Sequence, residues 1–431
     1  MRNARVISIS RGALALIALL LFSAVAWGAN NNPLLIGGPN TLPSMLVGRV
    51  RASAPLGAHL DYYGGRVVSN MQVVQVLWGT GAAGSSNGQF LAQVRDTSTP
   101  SIATFYQQVL NSPYVDWLSE YNTDIIDHGG HEGTNQSIGR GSFSVQVAIT
   151  PSDHSNPIDD TAIQTELVKQ IIAGHIPAPT TDGDGNVNTY YAIFFPHGLT
   201  IKQGRSKSCT SGGFCAYHGT IDAGGSVGEI YYGVHPDMQA GSGCDVGCGD
   251  GAPFDNYTAV ASHEMVETIT DCEVGLANNN APPLAWYDNT YGEIGDICNE
   301  QDGSIVGADS QTYTVQREFS NAANACIVTA SSTDFGISAS SLSEKVRSGR
   351  TATYTITLTP MNGFADPVSL SVGGTPNGSI SAFAPNPATT TSTLIIKTKR
   401  NAGAGRSYIL TIAGDSGDLH HTTTVRLKVT R

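Results

Sequence analysis

The chain has 431 residues and a formal net charge of −12, and its length permits two or more domains. The charge is unevenly distributed, because the residues from Ser331 onward include ten Lys/Arg and five Asp/Glu, a net of +5. The part before Ser331 is therefore strongly acidic. Such a surface repels phosphate, which argues against a nucleic-acid partner and suits the binding of divalent cations.

The N-terminus has the three-part pattern of a secretory signal. Arg2, Arg5 and Arg11 precede an apolar run over residues 13–26, and small residues follow it. An uncleaved anchor helix is the alternative, but the run is short for a membrane span. We therefore expect residues 1–29 to be removed and the mature protein to be secreted and extracellular, with no membrane contact after cleavage.

A flexible segment rich in Asn, Pro and Gly is predicted for residues 30–59, and alternating strand and helix patterns follow over residues 60–330. The alternation predicts an α/β core made of a mixed sheet with helices. Residues 181–188, TDGDGNVN, have the spacing of a calcium loop but lack its closing glutamate, so we predict a turn.

In chain order the predicted elements are a strand at 73–79, helices at 101–122, a strand at 142–150, a helix at 159–175, strands at 189–196 and 229–236, and a helix at 254–271 capped by Asp255 or Asn256.

Seven cysteines lie between Cys209 and Cys326, and an exported chain can keep them as disulfides. The short spacings in KSCTSGGFC and GCDVGC favour two local loops, Cys209–Cys215 and Cys244–Cys248. Sequence alone does not fix the pairing, and one cysteine is left over. A zinc site at Cys244 and Cys248 is the weaker alternative, because no second close pair lies near them.

After residue 330 the pattern changes to short β segments separated by turns, without Cys or Trp. This spacing predicts an all-β, immunoglobulin-like sandwich over residues 331–431. The stretches GRTATYTITLTPMNGFADPVSLSV and SYILTIAGDSG resemble bacterial immunoglobulin-like repeats that are appended to exported enzymes and adhesins. The resemblance implies a spacer or a binding module, and none of its residues suggests chemistry.

Residues 261–271, ASHEMVETITD, have the spacing of a zinc-binding helix, with a glutamate in place of the second histidine. His263 and Glu267 are four apart, so they project from one helix face and can hold one ion. Glu264 can reach a water beside that ion and act as a general base. Carboxylate oxygen also binds Zn²⁺, and it makes Mn²⁺ and Ca²⁺ stronger competitors for the site. The alternative is an exposed helix that carries this short pattern by chance.

A catalytic zinc ion needs a third protein ligand. Glu293 and Asp296, in the stretch AWYDNTYGEIGDICN, are three apart and could share a helical face. The predicted metal ligands are therefore His263 and Glu267 with either Glu293 or Asp296, and Glu293 ranks slightly ahead. The weaker alternatives are residues elsewhere in the chain, namely His218, His197 and Asp271, together with His128 and His131, which we expect in a solvated loop.

Several of these motifs occur in the same order in the EXORDIUM, or phosphate-induced, proteins of plant cell walls and their bacterial relatives. The chain resembles this family over about residues 60–330, through YYGGRVVSNMQVVQVLWG, SPYVDWLSEYNT, FCAYHG, CDVGC, SHEMVE and AWYD…EIGDICN. The resemblance implies a zincin-like α/β fold, an extracellular location and a glutamate at position 267. It carries no settled enzymatic activity, and the C-terminal sandwich lies outside it.

These observations predict a secreted, metallopeptidase-like hydrolase with Zn²⁺ as cofactor and a peptide, a protein or a cell-surface polymer as substrate. The first alternative is a non-catalytic extracellular EXORDIUM-like protein that binds carbohydrate or peptide, in which the acids are structural. The second is an adhesin whose acidic domain binds Ca²⁺. Bound-metal analysis and chelation separate the three, since only the first and third depend on a cation.

Overall fold

The structure, a computed structural model, describes Met45 and residues 53–79, 89–225, 227–330, 333–361, 364–400, 404–417 and 419–431. The predicted signal sequence and most of the predicted flexible segment lie outside these ranges. All the described residues belong to one unit, Asn32–Arg431. None of the helices in these ranges is both long and apolar enough to cross a membrane.

The fold is rich in β-strands, in keeping with its many β-branched and aromatic runs. The strands described up to residue 327 are β1 (Asp61–Tyr62), β2 (Asn70–Trp78), β3 (Gly139–Ile149), β4 (Ile158–Asp159), β5 (Thr189–Phe194), β6 (Ile201–Gln203), β7 (Ser206–Lys207), β8 (Tyr217–Asp222), β9 (Glu229–His235), β10 (Trp286–Tyr287), β11 (Asp302–Val306), β12 (Thr312–Gln316), β13 (Glu318–Ser320) and β14 (Ala325–Ile327). The four strands predicted between residues 73 and 236 are β2, β3, β5 and β9, and these predictions are confirmed.

The described helices are fewer than the strands. They are α1 (Ala92–Arg95), α2 (Ile102–Val109), α3 (Pro113–Asp116), α4 (Asp160–Ile172) and α5 (Pro253–Thr270), with 3₁₀ turns at Trp117–Tyr121, Cys244–Val246, Val274–Leu276 and Asp296–Cys298. The helices predicted at 101–122 and 159–175 are confirmed. Of the two candidate caps that the sequence offers, Asp159 and Asp160, it is Asp159 that caps α4, because its side chain accepts from the N–H of Thr161 at 3.2 Å. The predicted turn at 181–188 is also present, closed by the Asp182 N–H on the Asn186 carbonyl.

Five of the strands form a central sheet in the order β3-β2-β5-β9-β8. The first four in this order run parallel, and β8 is antiparallel to β9 at the edge. Successive side chains enter opposite cores, so that Ala192 packs on one face and Ile193 on the other. The pairing of β8 with β9 places His218 opposite Gly233.

Helices cover both faces of this sheet. Ile163 of α4 shares a core with Ile193, whereas Val266 of α5 shares a core with Ala192. Because both faces are covered, the central strands are buried and apolar. α5 also lies against β8, β9 and β12, so it contacts both the β8–β9 pair and a strand far beyond them in the sequence.

The predicted metal-binding helix is α5. Its N-cap is Ala252, followed by Pro253 in the first turn, so the predicted caps Asp255 and Asn256 are wrong. Proline suits the first turn because it has no N–H that needs a partner there. Every residue from Asn256 to the end of the helix is buried. The alternative of an exposed helix is therefore wrong.

His235 at the end of β9 gives the stability of the folded chain a pH dependence. The side chain is fully buried and stacks on Phe194, with the ring centroids 4.6 Å apart. Burial lowers the pKa of its imidazole to about 3, although the Ile193 carbonyl favours the proton. The unfolded chain takes up a proton near pH 6.5 and the folded chain does not, so the free energy of unfolding decreases as the pH falls from about 6.5 to about 3.

Replacing His235 with phenylalanine should remove this dependence while keeping the ring against Phe194. Between about pH 7.5 and about pH 5, the wild type should lose about 2 kcal/mol of unfolding free energy relative to His235→Phe. Urea unfolding in a chelating buffer measures both proteins. Equal pH dependence of the two would mean that the folded protein protonates His235 as readily as the unfolded chain.

The residues after 333 form an all-β sandwich. Its strands are β15 (Asp334–Ser340), β16 (Ser343–Arg347), β17 (Thr351–Met361), β18 (Ser369–Gly373), β19 (Ile380–Ala384), β20 (Thr391–Lys397), β21 (Arg406–Ser416) and β22 (Leu419–Thr430). They form two four-stranded sheets, in the orders β15-β17-β20-β19 and β16-β22-β21-β18. Their inward side chains make a core whose described members all lie at or after Phe335. The sandwich is present as predicted, and its independence as a domain stays a prediction.

The disulfides differ from the predicted local loops. The described bonds are Cys209–Cys244, Cys215–Cys248 and Cys298–Cys326, and the thiol left over is Cys272, which is buried. The two short motifs pair with each other, so the local pairings and the zinc alternative at Cys244 and Cys248 are wrong. Both of these cysteines lie on one tight turn, and their side chains can therefore reach the same facing segment. Disulfides persist in oxidising compartments, which indicates an extracellular protein.

Candidate metal centre

α5 directs two of the predicted ligands into the interior. His263 and Glu267 are fully buried, and Nε2 of His263 lies 3.2 Å from Oε1 of Glu267. This proximity follows from their four-residue spacing on one helix. The two side chains that the sequence assigns to one ion therefore lie side by side.

The segment after β10 brings a carboxylate to this pair. Asp296 begins the 3₁₀ turn, and its backbone N–H donates to Oε1 of Glu267 at 3.1 Å. One ligand atom from each of His263, Glu267 and Asp296 lies within 4.8 Å of the others. Asp296 is only half-buried, so this ligand group reaches towards the surface on one side.

His218 on β8 forms a second group that sequence reasoning ranked low. Its Nδ1 lies 3.2 Å from Oε2 of Glu264 and 3.4 Å from Oε2 of Glu267. Its Nε2 lies 3.5 Å from Oε1 of Glu293. Glu293, the acid ranked ahead of Asp296, thus lies beside His218 and outside the group around His263. The four predicted metal ligands and Glu264 are brought together, but around two histidines.

Two further polar residues complete the surroundings of His263, and no motif in the sequence predicts either of them. Nε2 of Gln316, at the end of β12, lies 2.8 Å from Nδ1 of His263. Glu318 lies two residues further along the chain, and its Oε1 accepts a hydrogen bond from the hydroxyl of Tyr114 at 2.9 Å. Only a β-hairpin docked on α5 places these side chains here, and no spacing within ASHEMVETITD predicts that contact.

Two effects act in opposite directions on the pKa values of the two histidines: burial disfavours their charged forms, and the neighbouring carboxylates favour them. Burial disfavours the charged imidazole of His263, but the Glu267 carboxylate outweighs it and raises the pKa of this histidine. Burial also disfavours the charged imidazole of His218, but the neighbouring carboxylates outweigh it, Glu293 most of all, and raise the pKa of this histidine. Burial raises the pKa of Glu293 itself to about 7. Metal ligands bind in their deprotonated forms, so protons compete with a cation here and acid weakens cation binding.

Several polar atoms in the cluster lack a hydrogen-bond partner. They are Nε2 of His218 and of His263, Oε1 of Glu264, Oε2 of Glu267 and both carboxylate oxygens of Glu293. An unpartnered buried polar group costs about 1–3 kcal/mol, and more when it is charged. Imidazole nitrogen and carboxylate oxygen are the donors that Zn²⁺ and Mn²⁺ accept. The residues present therefore fit a divalent cation.

The other residues considered from the sequence lie apart from the cluster or only border it. His197 pairs with Asp237, with Nδ1 2.6 Å from Oδ2. His131 lies beside Asp127, and His128 is exposed beside the ring of Tyr63. Asp271 follows α5, as predicted for a cap, and its Oδ1 accepts from the N–H of Ala285 at 3.0 Å.

Gly295 is needed for the close approach of the Asp296 segment to α5. A Cβ at this position would lie 2.6 Å from Nδ1 of His263 and 2.9 Å from Oε1 of Glu267. We expect Gly295→Ala to cost about 1–3 kcal/mol of stability through overpacking and to displace Asp296 from the ligand group. The matched control is Gly183→Ala, because a Cβ there has no atom within 4 Å. Isothermal titration with Zn²⁺ and urea unfolding check both effects, and unchanged zinc affinity in Gly295→Ala would contradict the prediction.

The Cys298–Cys326 disulfide fixes the same segment from its other end. Cys298 closes the 3₁₀ turn that begins at Asp296, and Cys326 lies on β14, opposite Phe319 of β13. The covalent bond thus joins the turn that carries Asp296 to the strands that follow Gln316. The position of this carboxylate is set by a disulfide as well as by packing.

Comparison with known proteins leaves the site unassigned. No family model and no curated protein matches the chain. Similar solved structures include domains 4 and 5 of the S-layer protein SbsC, at 15% identity and a TM-score of 0.20 over 28% of this chain and 61% of that one. The titin M3 domain is similar at 10% identity and a TM-score of 0.15, over 21% of this chain and 88% of that one. The chain spans less than two thirds of the first of these, and at such scores the likeness says nothing about function.

Proposed function

We propose that the protein is a secreted, metal-dependent hydrolase of metallopeptidase type, with a zincin-like domain related to the EXORDIUM proteins. The observation that carries the proposal is the group of buried His263 and Glu267 with half-buried Asp296, whose ligand atoms lie within 4.8 Å of one another. The sheet with helices on both faces and the order of the SHEMVE and EIGDICN motifs support the zincin-like assignment. Zn²⁺ is the expected cation, with Mn²⁺ and Ca²⁺ as alternatives.

A cation at this place would lower the pKa of water and polarise a substrate carbonyl. Glu264 follows His263 directly on α5, and its Oε1 has no hydrogen-bond partner, so this oxygen can accept a proton from water. The same carboxyl group can then donate that proton to the leaving amine. His218 lies 3.2 Å from the other oxygen of Glu264 and thereby fixes the orientation of the base.

The substrate would approach from the side of Asp296. Asp296 and Gly292 are half-buried, whereas His263, Glu264 and Glu267 are fully enclosed. An extended peptide or a chain of a cell-surface polymer could reach the cluster only where this segment opens. The EIGDIC segment would therefore belong to the substrate-binding surface.

The same enclosure favours an alternative that differs from the metal-free surface protein, namely a non-catalytic extracellular protein in which the cation is structural. Structural metal sites are closed by protein ligands, whereas catalytic sites keep one position open. His218, His263, Glu264 and Glu267 have no exposed surface. In this alternative the protein binds carbohydrate or peptide elsewhere, and the centre only holds α5 to the EIGDIC segment.

Zinc content and hydrolysis, measured on the same protein, test the proposal. Mature protein that has been equilibrated with Zn²⁺ and dialysed should retain zinc by mass spectrometry and should hydrolyse a general protein substrate such as casein. His263→Ala should reduce both, because the ligand group loses its imidazole. His197→Ala, which removes a histidine outside the cluster, should leave both unchanged.

The outcomes separate the two functions. Zinc retention without hydrolysis would favour the structural alternative, and the absence of zinc from a folded wild-type protein would contradict the metal centre itself. Circular dichroism of each variant shows whether a loss reflects the site or the fold.

A further inference from the structure

The cluster contains two possible sets of ligands that share one residue. His263, Glu267 and Asp296 form one set, and His218, Glu264 and Glu267 form the other. Glu267 belongs to both sets and contributes a different carboxylate oxygen to each. Its Oε1 lies 3.2 Å from Nε2 of His263, and its Oε2 lies 3.4 Å from Nδ1 of His218. Neither set contains both histidines, and a carboxylate can bridge two cations through its two oxygens.

The distances within each set match those around a zinc ion. A tetrahedral Zn²⁺ with bonds of about 2.0–2.1 Å holds its ligand atoms about 3.3 Å apart. In the second set, Nδ1 of His218 lies 3.2 Å from Oε2 of Glu264 and 3.4 Å from Oε2 of Glu267. In the first set, the His263–Glu267 pair is at 3.2 Å. These three distances therefore match the spacing around one cation, and the ligand atoms of each set all lie within 4.8 Å of one another.

Each histidine also has a polar partner on the ring nitrogen that faces away from its set. Histidine ligands of metals usually engage their other nitrogen with a carboxylate, a carbonyl or water, which fixes the tautomer. Nε2 of His218 lies 3.5 Å from Oε1 of Glu293, so its N–H can point at a carboxylate. Nδ1 of His263 lies 2.8 Å from Nε2 of Gln316, whose amide also donates to the Gly295 carbonyl at 3.0 Å. The ring of His218 thus has the carboxylate neighbour of a metal ligand, and the ring of His263 is held in place by an amide.

Charge balance also favours two cations over one. Glu264, Glu267, Glu293 and Asp296 contribute up to four negative charges. Among the described ion pairs, none joins these four carboxylates to a Lys or Arg, and their ionic partners are the two histidines. Histidine is neutral when it binds a metal. One divalent cation would then leave two buried charges uncompensated, whereas two divalent cations balance all four.

We propose that the centre holds two divalent cations of the Zn²⁺ class bridged by Glu267, one with His263 and Asp296 and the other with His218 and Glu264. The inference rests on the proposed metal centre and extends it to the class of two-metal hydrolases, whose ions lie about 3.5–4 Å apart. Glu264 binds the second cation through Oε2, beside His218. Its Oε1 stays available to take the proton from water, so its role as a base is kept.

Zinc titration of the metal-stripped full-length mature chain tests this inference. Calorimetry and mass spectrometry of the gel-filtered protein should both give about two Zn²⁺ per wild-type chain. His218→Phe should reduce the number to about one and keep the cation at His263. Glu293→Gln should keep the number but weaken the second binding step by about 10- to 100-fold, because it removes the charged partner of the His218 ring. The matched control His197→Phe should bind as the wild type does.

Each outcome has a defined meaning. A wild-type chain that binds one zinc ion, with His263→Ala binding none, would overturn the second cation and leave the proposed function intact. A wild-type chain that binds none would overturn both. Two ions retained by a folded His218→Phe variant would overturn the assignment of the second set. If His218→Phe does not fold, Glu293→Gln decides, and unchanged affinity at both binding steps would count against the inference.

Discussion

Replacing Glu264 by glutamine should lower the rate of hydrolysis by roughly 10²- to 10⁴-fold while the protein keeps its fold and the cation at His263. Glutamine has the shape of glutamate but cannot accept a proton from water, and general-base catalysis contributes about this much to a rate. Glu264 is not in the ligand group of His263, Glu267 and Asp296, so that group is unchanged. The measurement is kcat on a protein substrate, with zinc content determined on the same sample.

The matched control is Glu166→Gln, which makes the same change at a buried carboxylate of α4. Glu166 accepts from Ser152 and Gln170 on the opposite face of the sheet, so its loss should leave kcat unchanged. Equal activity of Glu264→Gln and the wild type would remove this residue from the mechanism. A loss in both variants would point to general destabilisation.

Removal of the cation should produce the second large effect, a decrease in stability. A cation that binds only the folded chain adds about 4 kcal/mol when its free concentration is a thousand times its Kd. For a chain of this size we therefore expect chelation to lower the Tm by roughly 5 °C. The physical reason is that four carboxylates and two imidazoles then share an enclosed space without a cation. Thermal unfolding with and without a chelator measures the shift.

The choice of cation and of variant makes this experiment specific. Zn²⁺ added back should restore the Tm, whereas Glu267→Leu should show little response to either treatment because it lacks the residue shared by both ligand sets. A Tm that responds to Ca²⁺ and not to Zn²⁺ would favour the calcium-binding adhesin. A Tm indifferent to chelation would favour the metal-free surface protein.

The local part of the site could be predicted from the sequence, because one helix carries it. The four-residue spacing of His263 and Glu267 fixes their proximity whatever the rest of the chain does. Glu293 and Asp296 could also be predicted, because their three-residue spacing suggests a shared helical face. Other acids, namely Asp271, Glu273 and Asp288, lie closer to the end of α5. The ranking of Glu293 and Asp296 was not predictable, because the 3₁₀ turn begins at Asp296 and leaves Glu293 outside it, so the two do not share a helical face.

The remaining contacts depend on tertiary pairing, which the sequence pattern does not encode. His218 reaches the site because β8 pairs antiparallel with β9 at the sheet edge beside α5, 46 residues before Glu264. The FCAYHG motif was the available signal, and it was outweighed by the frequency of structural histidines. Gln316 arrives on a hairpin that docks on the helix, and Gln is too common to predict as a metal-site partner.

The strands and helices were easier to predict than the disulfide pairing and the order of the strands in the sheet. A short apolar run such as VVQVLWG predicts a buried strand, and β2 is found at this place. The cysteine pairing failed because a short spacing indicates only that two thiols are near, and a tight turn can direct both towards a third segment. The order β3-β2-β5-β9-β8 likewise depends on which strands meet, and no single stretch specifies that.

The disulfide beside Asp296 has a consequence for where the protein can become active. Cys298 and Cys326 remain thiols in a reducing cytoplasm, and the turn that carries the carboxylate then lacks its covalent link to β14. A newly made chain would reach full cation affinity only after export and oxidation. Under the proposed function, the producing cell would thus be shielded from premature hydrolysis, and recombinant material for any of these assays should be made in an oxidising compartment.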